Sequence, residues 1–257
     1  MRNICMKVSY DGSRYNGFQS QPDGNTIQDH IEKAIRMLTG EELNIIGSGR
    51  TDAGVHAKAQ MFNFLTASAI PIERWPLALN SRLPDDIVIL DAVEVPESFH
   101  ARRSAKRKTY RYTIDTGKFP DVFGRQYRYH HYRPLNVAAM REAIAHLIGT
   151  HDYTSFTSAH STKKNHVRTI YEAYIEQDGP FLHIYVTGSG FLYNMVRIIV
   201  GTLIKVGIGA VAPGDMPAIL EARDRSKAGP TAIAQGLMLW DVYYSELDAG
   251  LSDQSQG

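Results

Sequence analysis

One cysteine, Cys5, among 257 residues leaves no partner for a bond within the chain. An intrachain disulfide framework is excluded, and a reducing, cytoplasmic setting is expected. Long uncharged apolar runs are also missing. The most hydrophobic stretch, Phe191 to Ala212, is interrupted by Arg197, Lys205 and several glycines. It reads as a buried helix, and no membrane partner is expected. The opening MRNICMK lacks the apolar core of a secretory signal. Neither sign of charge dominates, with 28 Lys+Arg against 27 Asp+Glu and a net +1. That balance does not decide for or against nucleic acid, because clustering matters more than the sum. Metal-ligand spacing is absent too: the sequence holds no His-Glu-x-x-His and no Cys-x-x-Cys, so no metal is expected.

What is present is clustered. Arg102 to Arg111 reads RRSAKRKTYR, Arg125 to Arg133 reads RQYRYHHYR, and Thr162 to Arg168 reads TKKNHVR. Any one of these serves as a solvated face. Three basic patches, two of them rich in aromatic rings, fit single-stranded or looped RNA: phosphates need cations, and unpaired bases need flat rings to stack on.

The hydropathy pattern alternates strands with helices. NICMKVSY alternates, with Ile4, Met6, Val8 and Tyr10 on one face of a half-buried strand. Ile27, Ile31, Ala34, Ile35 and Leu38 form a helical stripe, with Asn25 and Gln28 as its capping box and Gly40 as its stop. Strands are expected at LNIIGSG, KAQMFNFLT, DIVILDAVEV and RKTYRYTID, and helices near Ile72–Leu83 and Met140–Ile148. A hairpin around Gly179-Pro180, an apolar helix FLYNMVRIIVGTLIKVG and a closing strand AQGLMLWDVYYS follow. So many hairpins argue against a doubly wound parallel sheet. The expected class is α/β of the α+β kind: two α+β halves sharing a central, mostly antiparallel sheet. We place the halves at residues 1–103 and 104–245, with residues 246–257 as a loose polar tail.

One stretch concentrates chemistry. Gly47 to Gly54 reads GSGRTDAG. An aspartate before Ala-Gly often only caps its own turn. Two features favour more for Asp52. In extended chain, Arg50 points the same way and keeps a carboxylate ionised; and the small neighbours let a bulky substrate approach the backbone. Arg197 adds weight, because an arginine in an apolar helix either snorkels to solvent or pairs with a carboxylate, and Asp52 is the natural candidate. Tyr110 shares a strand face with Lys106, Lys108 and Tyr112, where it stacks on a base or relays a proton; Tyr112 reads as an ordinary strand tyrosine. His56 reads as structural. TGSGF, Thr187 to Phe191, is a weak candidate for a phosphate seat before a helix.

YDGSRYNGFQ, GRTDAGVHA, ALNSRLPDDI, FHARRSAKRKTYRY and GSGFLYNMVRIIVGTL, in this order from about Val8 to Tyr244, resemble the bacterial tRNA pseudouridine synthases that act on the anticodon stem-loop. The resemblance implies the pseudouridine synthase fold with a basic cleft. It implies a homodimer without a cofactor, with tRNA as partner and no DNA. The reaction would isomerise uridines 38, 39 and 40 (tRNA numbering). The family's nucleophilic aspartate falls on Asp52, its substrate-contacting tyrosine on Tyr110, its carboxylate-pairing basic residue on Arg197 and its motif arginine on Arg50. Lys106, Arg107 and Lys108 are expected to bind substrate. Whether Asp52 attacks covalently or acts as a base at the ribose stays open, as does proton transfer by Tyr110. An aspartic protease is disfavoured, since that chemistry needs two carboxylates. A non-catalytic RNA chaperone is the remaining rival.

Overall fold

The computed structural model describes residues 1–158 and 164–245. Lys163 of the third basic patch and the tail 246–257 lie outside the described residues. In chain order the elements are β1 (Arg2–Tyr10), α1 (Ile27–Thr39), β2 (Ile46–Gly47), β3 (His56–Thr66), α2 (Trp75–Asn80), β4 (Ile87–Val95) and β5 (Arg107–Asp115). Then come β6 (Tyr129–His130), α3 (Val137–Ala145), β7 (Gly149–Asp152), β8 (Val167–Asp178), β9 (Phe181–Gly188), α4 (Met195–Gly207), α5 (Met216–Ala222) and β10 (Leu237–Tyr243). The chain is α+β with a mostly antiparallel sheet, as its hairpin-rich pattern predicts. No helix among the described residues is long and apolar enough to cross a membrane.

The chain divides into two compact units. Among the described residues, the first holds Met1–Arg107 and the chain from Leu239 to Ser245; the second holds the described part of Lys108–Met238. The composition of the sequence places the change at 103/104 and keeps the last strand with the second half. Local hydrogen bonds account for the difference. The Lys106 amide donates to the Tyr243 carbonyl at 2.9 Å, and the Tyr244 hydroxyl to the Ala101 carbonyl at 2.6 Å.

In the first unit the strand order is β4-β1-β3-β10, with the short β2 also on β3. Ile4, Met6 and Val8 lie opposite Phe64, Phe62 and Gln60. This face meets the helices, where the Phe64 ring stands edge-on to Trp75 of α2 at 5.5 Å. The half-buried strand expected at β1 is buried on both faces from Asn3 to Met6, while Lys7 and Ser9 on the reverse face stay part-exposed. Asn3 and Cys5 on the reverse face are buried, and the segment 96–101 is tied to that face by Asn3 to the Phe99 carbonyl at 3.1 Å and by the Ala101 amide to Asn63 at 2.8 Å. Burial pushes the Cys5 thiol up to about 12, so it stays protonated. Helix α1 starts one residue later than the sequence suggests. Thr26, not Asn25, is the N-cap, in a reciprocal box with Asp29. Asn25 sits at φ +56° and donates to the Arg14 carbonyl at 2.8 Å.

In the second unit the order is β5-β9-β8-β7, antiparallel throughout, while β6 joins β5 as a parallel strand. The β8–β9 hairpin turns at Gly179-Pro180 as predicted, with Gly179 at φ +54°. Helix α4 is buried along most of its length but begins only at Met195. The Gly188–Phe191 segment therefore does not abut a helix, and the Ser189 amide donates to the Thr169 carbonyl at 2.9 Å. The Ser189 amide of TGSGF is therefore taken up within the sheet.

Candidate active site

Asp52 lies on the loop between β2 and β3, half-buried, in the first unit. The Val55 amide donates to the Asp52 carbonyl at 3.1 Å, closing a turn, and Gly54 occupies it at φ +76°. Only glycine adopts that conformation without cost, which explains Asp-Ala-Gly locally. Burial alternates along Arg50, Thr51 and Asp52: exposed, buried, half-buried.

The loop between β1 and α1 interlocks with this turn. The Phe18 amide donates to the Thr51 carbonyl at 3.1 Å, and the Gly54 amide to the Tyr15 carbonyl at 3.4 Å. A Cβ on Gly12 would fall 2.0 Å from the Val55 carbonyl oxygen, and one on Gly17 would fall 2.6 Å from that of Thr51. Only glycine lets the two backbones approach so closely. His56 is buried, and its Nδ1 accepts the Gly12 amide at 3.1 Å while standing 3.1 Å from the Asp11 carboxylate. An Nδ1 lone pair suits the first contact and an Nδ1–H the second. Either way His56 ties the two loops together, the structural role read from sequence. Asp86, just before β4, receives two donors of the Arg14 guanidinium, at 3.0 and 2.6 Å, and the Tyr15 hydroxyl.

Tyr110 and Arg197 belong to the second unit. Tyr110 lies on β5 opposite Val186 of β9, 8% exposed, with its ring edge-on to Phe191 at 5.1 Å. Tyr112, two residues on, is fully buried and donates to the Ile233 carbonyl at 3.0 Å. Burial raises its hydroxyl far above the ordinary range, so it is the core residue the sequence suggests. Arg197 is half-buried in the first turn of α4. Its Nε donates to the Ala232 carbonyl at 2.7 Å, and its Nη1 to Asn194 Oδ1 at 2.9 Å. The Ala232 amide returns a bond to the Arg197 carbonyl at 3.0 Å. Backbone and amide oxygens thus hold two of its guanidinium nitrogens. The segment supplying Ala232 is itself docked tightly on the helix, since a Cβ on Gly201 would lie 1.8 Å from the Pro230 carbonyl oxygen.

The basic residues separate. Arg102, Arg103, Lys106 and Arg107 are exposed and Lys108 half-buried. Lys106 precedes β5, so only Lys108, Tyr110 and Tyr112 of the expected face alternate along the strand. Arg107 lies over the Tyr243 ring at 4.6 Å.

A family model described as tRNA pseudouridine synthase matches residues 6–102 and 143–245. The chain belongs to this family. Relatives agree over almost the full length. tRNA pseudouridine synthase A of Bacillus subtilis (strain 168) is 52% identical over 246 residues, covering 95% of this chain and 99% of the relative. The protein of the same name from Moorella thermoacetica is 52% identical over 244 residues, covering 93% and 99%. That from Caldicellulosiruptor bescii is 51% identical over 244 residues, covering 95% and 100%. The enzyme is thus an isomerase, converting uridine in tRNA to pseudouridine. In this synthase Asp52, Arg50 and Arg197 fall inside the matched blocks, while Lys106, Arg107, Lys108 and Tyr110 fall between them.

Sequence reasoning missed several supports of the synthase loop. Tyr10 and Gln60 are buried beneath it and bond to its Thr51 and Gly49; in the second unit, Asn194 holds Arg197. Tyr10 and Gln60 read only as strand residues, because the partners that give them a role are 41 and 11 residues away in the chain. Asn194 carried one signal: it breaks an apolar run just before the helix, a position that tolerates φ +60° in asparagine.

Proposed function

We propose that the synthase acts on uridines 38, 39 and 40 of the anticodon stem-loop, as a homodimer in the cytoplasm. Asp52 opens the reaction, as a nucleophile at the sugar or uracil, or as a base at the ribose. The observation that supports this most is the Asp52 loop itself: a half-buried carboxylate on a glycine-dependent turn, fixed by contacts from a second loop.

The chemistry follows from the product. The bond from uracil N1 to ribose C1′ breaks, the base turns over, and C5 bonds to C1′. The C5 proton leaves and N1 regains one, so atoms balance without redox change. The uridine leaves the stack first, at a cost of a few kcal/mol. Stacking on Tyr110 and phosphate contacts from Lys106, Arg107 and Lys108 offset that cost. Arg197 compensates the Asp52 charge, and Arg50 guides the everted nucleotide. Water is excluded while the glycosidic bond is open, since hydrolysis would leave an abasic sugar.

The test is Asp52→Ala against unmodified tRNA transcripts with uridine at 38 to 40. The variant is expected to bind tRNA and form no pseudouridine by carbodiimide probing. Pseudouridine formed by Asp52→Ala, or wild-type product confined to other positions, overturns the reading. A monomer by sedimentation at micromolar concentration removes its dimeric part.

A further inference from the structure

The Asp52 loop is held from beneath by a buried polar network. Its hub is Tyr10, the last residue of β1, 4% exposed. The Tyr10 hydroxyl lies 2.8 Å from Thr51 Oγ1, with the Gln60 side chain beside it. Gln60, fully buried on β3, donates from Nε2 to the Gly49 carbonyl at 3.1 Å and accepts the Ser48 hydroxyl and the Met61 amide. Ser48, Gly49 and Thr51 are thereby fastened to two strand side chains. Burial keeps the Tyr10 hydroxyl neutral, so it acts as a hydrogen-bonding post and not as an acid or base.

Thr51 separates the two residues that matter. Its neighbours Arg50 and Asp52 are the exposed and half-buried members of the alternating trio. In extended chain, consecutive side chains leave the backbone on opposite sides. Pinning the Thr51 side chain inward therefore sets the outward direction of both neighbours at once. The backbone bond from Phe18 to the Thr51 carbonyl fixes the chain's position but leaves rotation about it. The hydroxyl pair removes that freedom.

We propose that Tyr10 is a positioning residue for the isomerisation, its hydroxyl locking Thr51 so that Asp52 and Arg50 keep one orientation toward the reacting nucleoside. This rests on the reading of Asp52 as the group that opens the reaction. Tyr10→Phe removes only the hydroxyl, since the ring keeps its packing beside Phe18, 6.3 Å away. Single-turnover pseudouridine formation is expected to fall about tenfold in Tyr10→Phe, with tRNA affinity within about twofold, because a misplaced reacting group affects rate before binding. Thr51→Val is expected to match it, Thr51→Ser to stay within about threefold of wild type, and the double variant Tyr10→Phe/Thr51→Val to be no slower than the slower single. Tyr153→Phe controls for stability. It removes a buried hydroxyl that donates to the Leu147 carbonyl at 2.6 Å in the other unit, and is expected to lower thermal stability without changing the rate. A wild-type rate in Tyr10→Phe overturns the proposal. So do rates that multiply in the double variant, or an equal rate loss in Tyr153→Phe. Asp52→Asn separates the two levels. If it is active, the reading of Asp52 falls; if it is inactive while Tyr10→Phe turns over normally, only the positioning role falls.

Discussion

Gly17→Ala tests whether the β1–α1 loop and the Asp52 turn form one rigid device. Gly17 sits at φ +87°, which costs an L-residue about 1–2 kcal/mol. The new methyl would also stand 2.6 Å from the Thr51 carbonyl oxygen and 3.2 Å from Ala53 N and Asp52 C. Those are backbone atoms, so the loop has to move, and such overpacking adds roughly 1–3 kcal/mol. The total is about 2–5 kcal/mol, large against a typical stability of about 5–15 kcal/mol. Gly24→Ala isolates the first contribution: φ is +65°, but nothing lies within 4 Å of the added methyl. Equilibrium urea denaturation is expected to show Gly24→Ala losing about 1–2 kcal/mol and Gly17→Ala losing more. Single-turnover assays at saturating enzyme are expected to leave Gly24→Ala at the wild-type rate and to slow Gly17→Ala at least about tenfold, since the displaced atoms carry Asp52. Equal destabilisation of the two variants, or full activity in Gly17→Ala, would refute the reasoning.

Other consequences are sharper in sign than in size. Burial pushes the Asp29 carboxyl up, but hydrogen bonds from Ser20, from the Thr26 hydroxyl and amide, and the charge of His30 outweigh it and hold it below the usual carboxylate range. Its stabilising contribution is therefore present at neutral pH and lost as pH falls through that depressed value. Asp29→Asn is expected to flatten the acid limb of stability below about pH 5, where the unfolded carboxylate begins to protonate, read by urea titration at each pH. Thr26→Ala loses the cap of α1 and about 0.5–2 kcal/mol, measured in the same way. Tyr112→Phe loses one buried hydrogen bond, about 1 kcal/mol, and keeps its turnover, in contrast to Tyr110→Ala. Arg102→Gln with Arg103→Gln weakens tRNA binding and lowers the slope of log affinity against log salt by about 0.7–0.9 for each phosphate no longer neutralised, measured by filter binding.

Local chemistry is legible in the sequence where one element suffices to decide it. Strand β5 and the Gly179-Pro180 hairpin have the bounds their alternation and turn residues predict. The stop of α1 at Gly40, φ +77°, follows from glycine's freedom. Its start does not, because Asn25 and Thr26 are both good caps, and the choice is made by Asn25 bonding back to Arg14. The alternation of β1 predicts one buried face; the start of the second is met at Asn3 by a segment some 90 residues on, which no local pattern encodes. Asp52 stands out by composition, yet its surroundings do not, since Tyr10, Gln60 and Asp86 reach it only through the fold.

That division gives the sequence motifs a physical reading. YDGSRYNGFQ and SRLPDDI mark the family, and neither holds a group assigned to the chemistry. Asp86 binds Arg14 and Tyr15; the Tyr15 carbonyl receives the Gly54 amide; Gly12 and Gly17 admit the backbone of the Asp52 turn; and Tyr10 holds Thr51. These residues are strung along one chain of contacts ending at the Asp52 turn. A substitution anywhere along it is expected to act on Asp52 through geometry, so the effects of Asp86, Gly17 and Tyr10 variants on rate should be less than multiplicative when combined. Multiplicative losses across all three pairs, measured by single-turnover cycles, would mean that the supports act independently and that no single strut carries the loop.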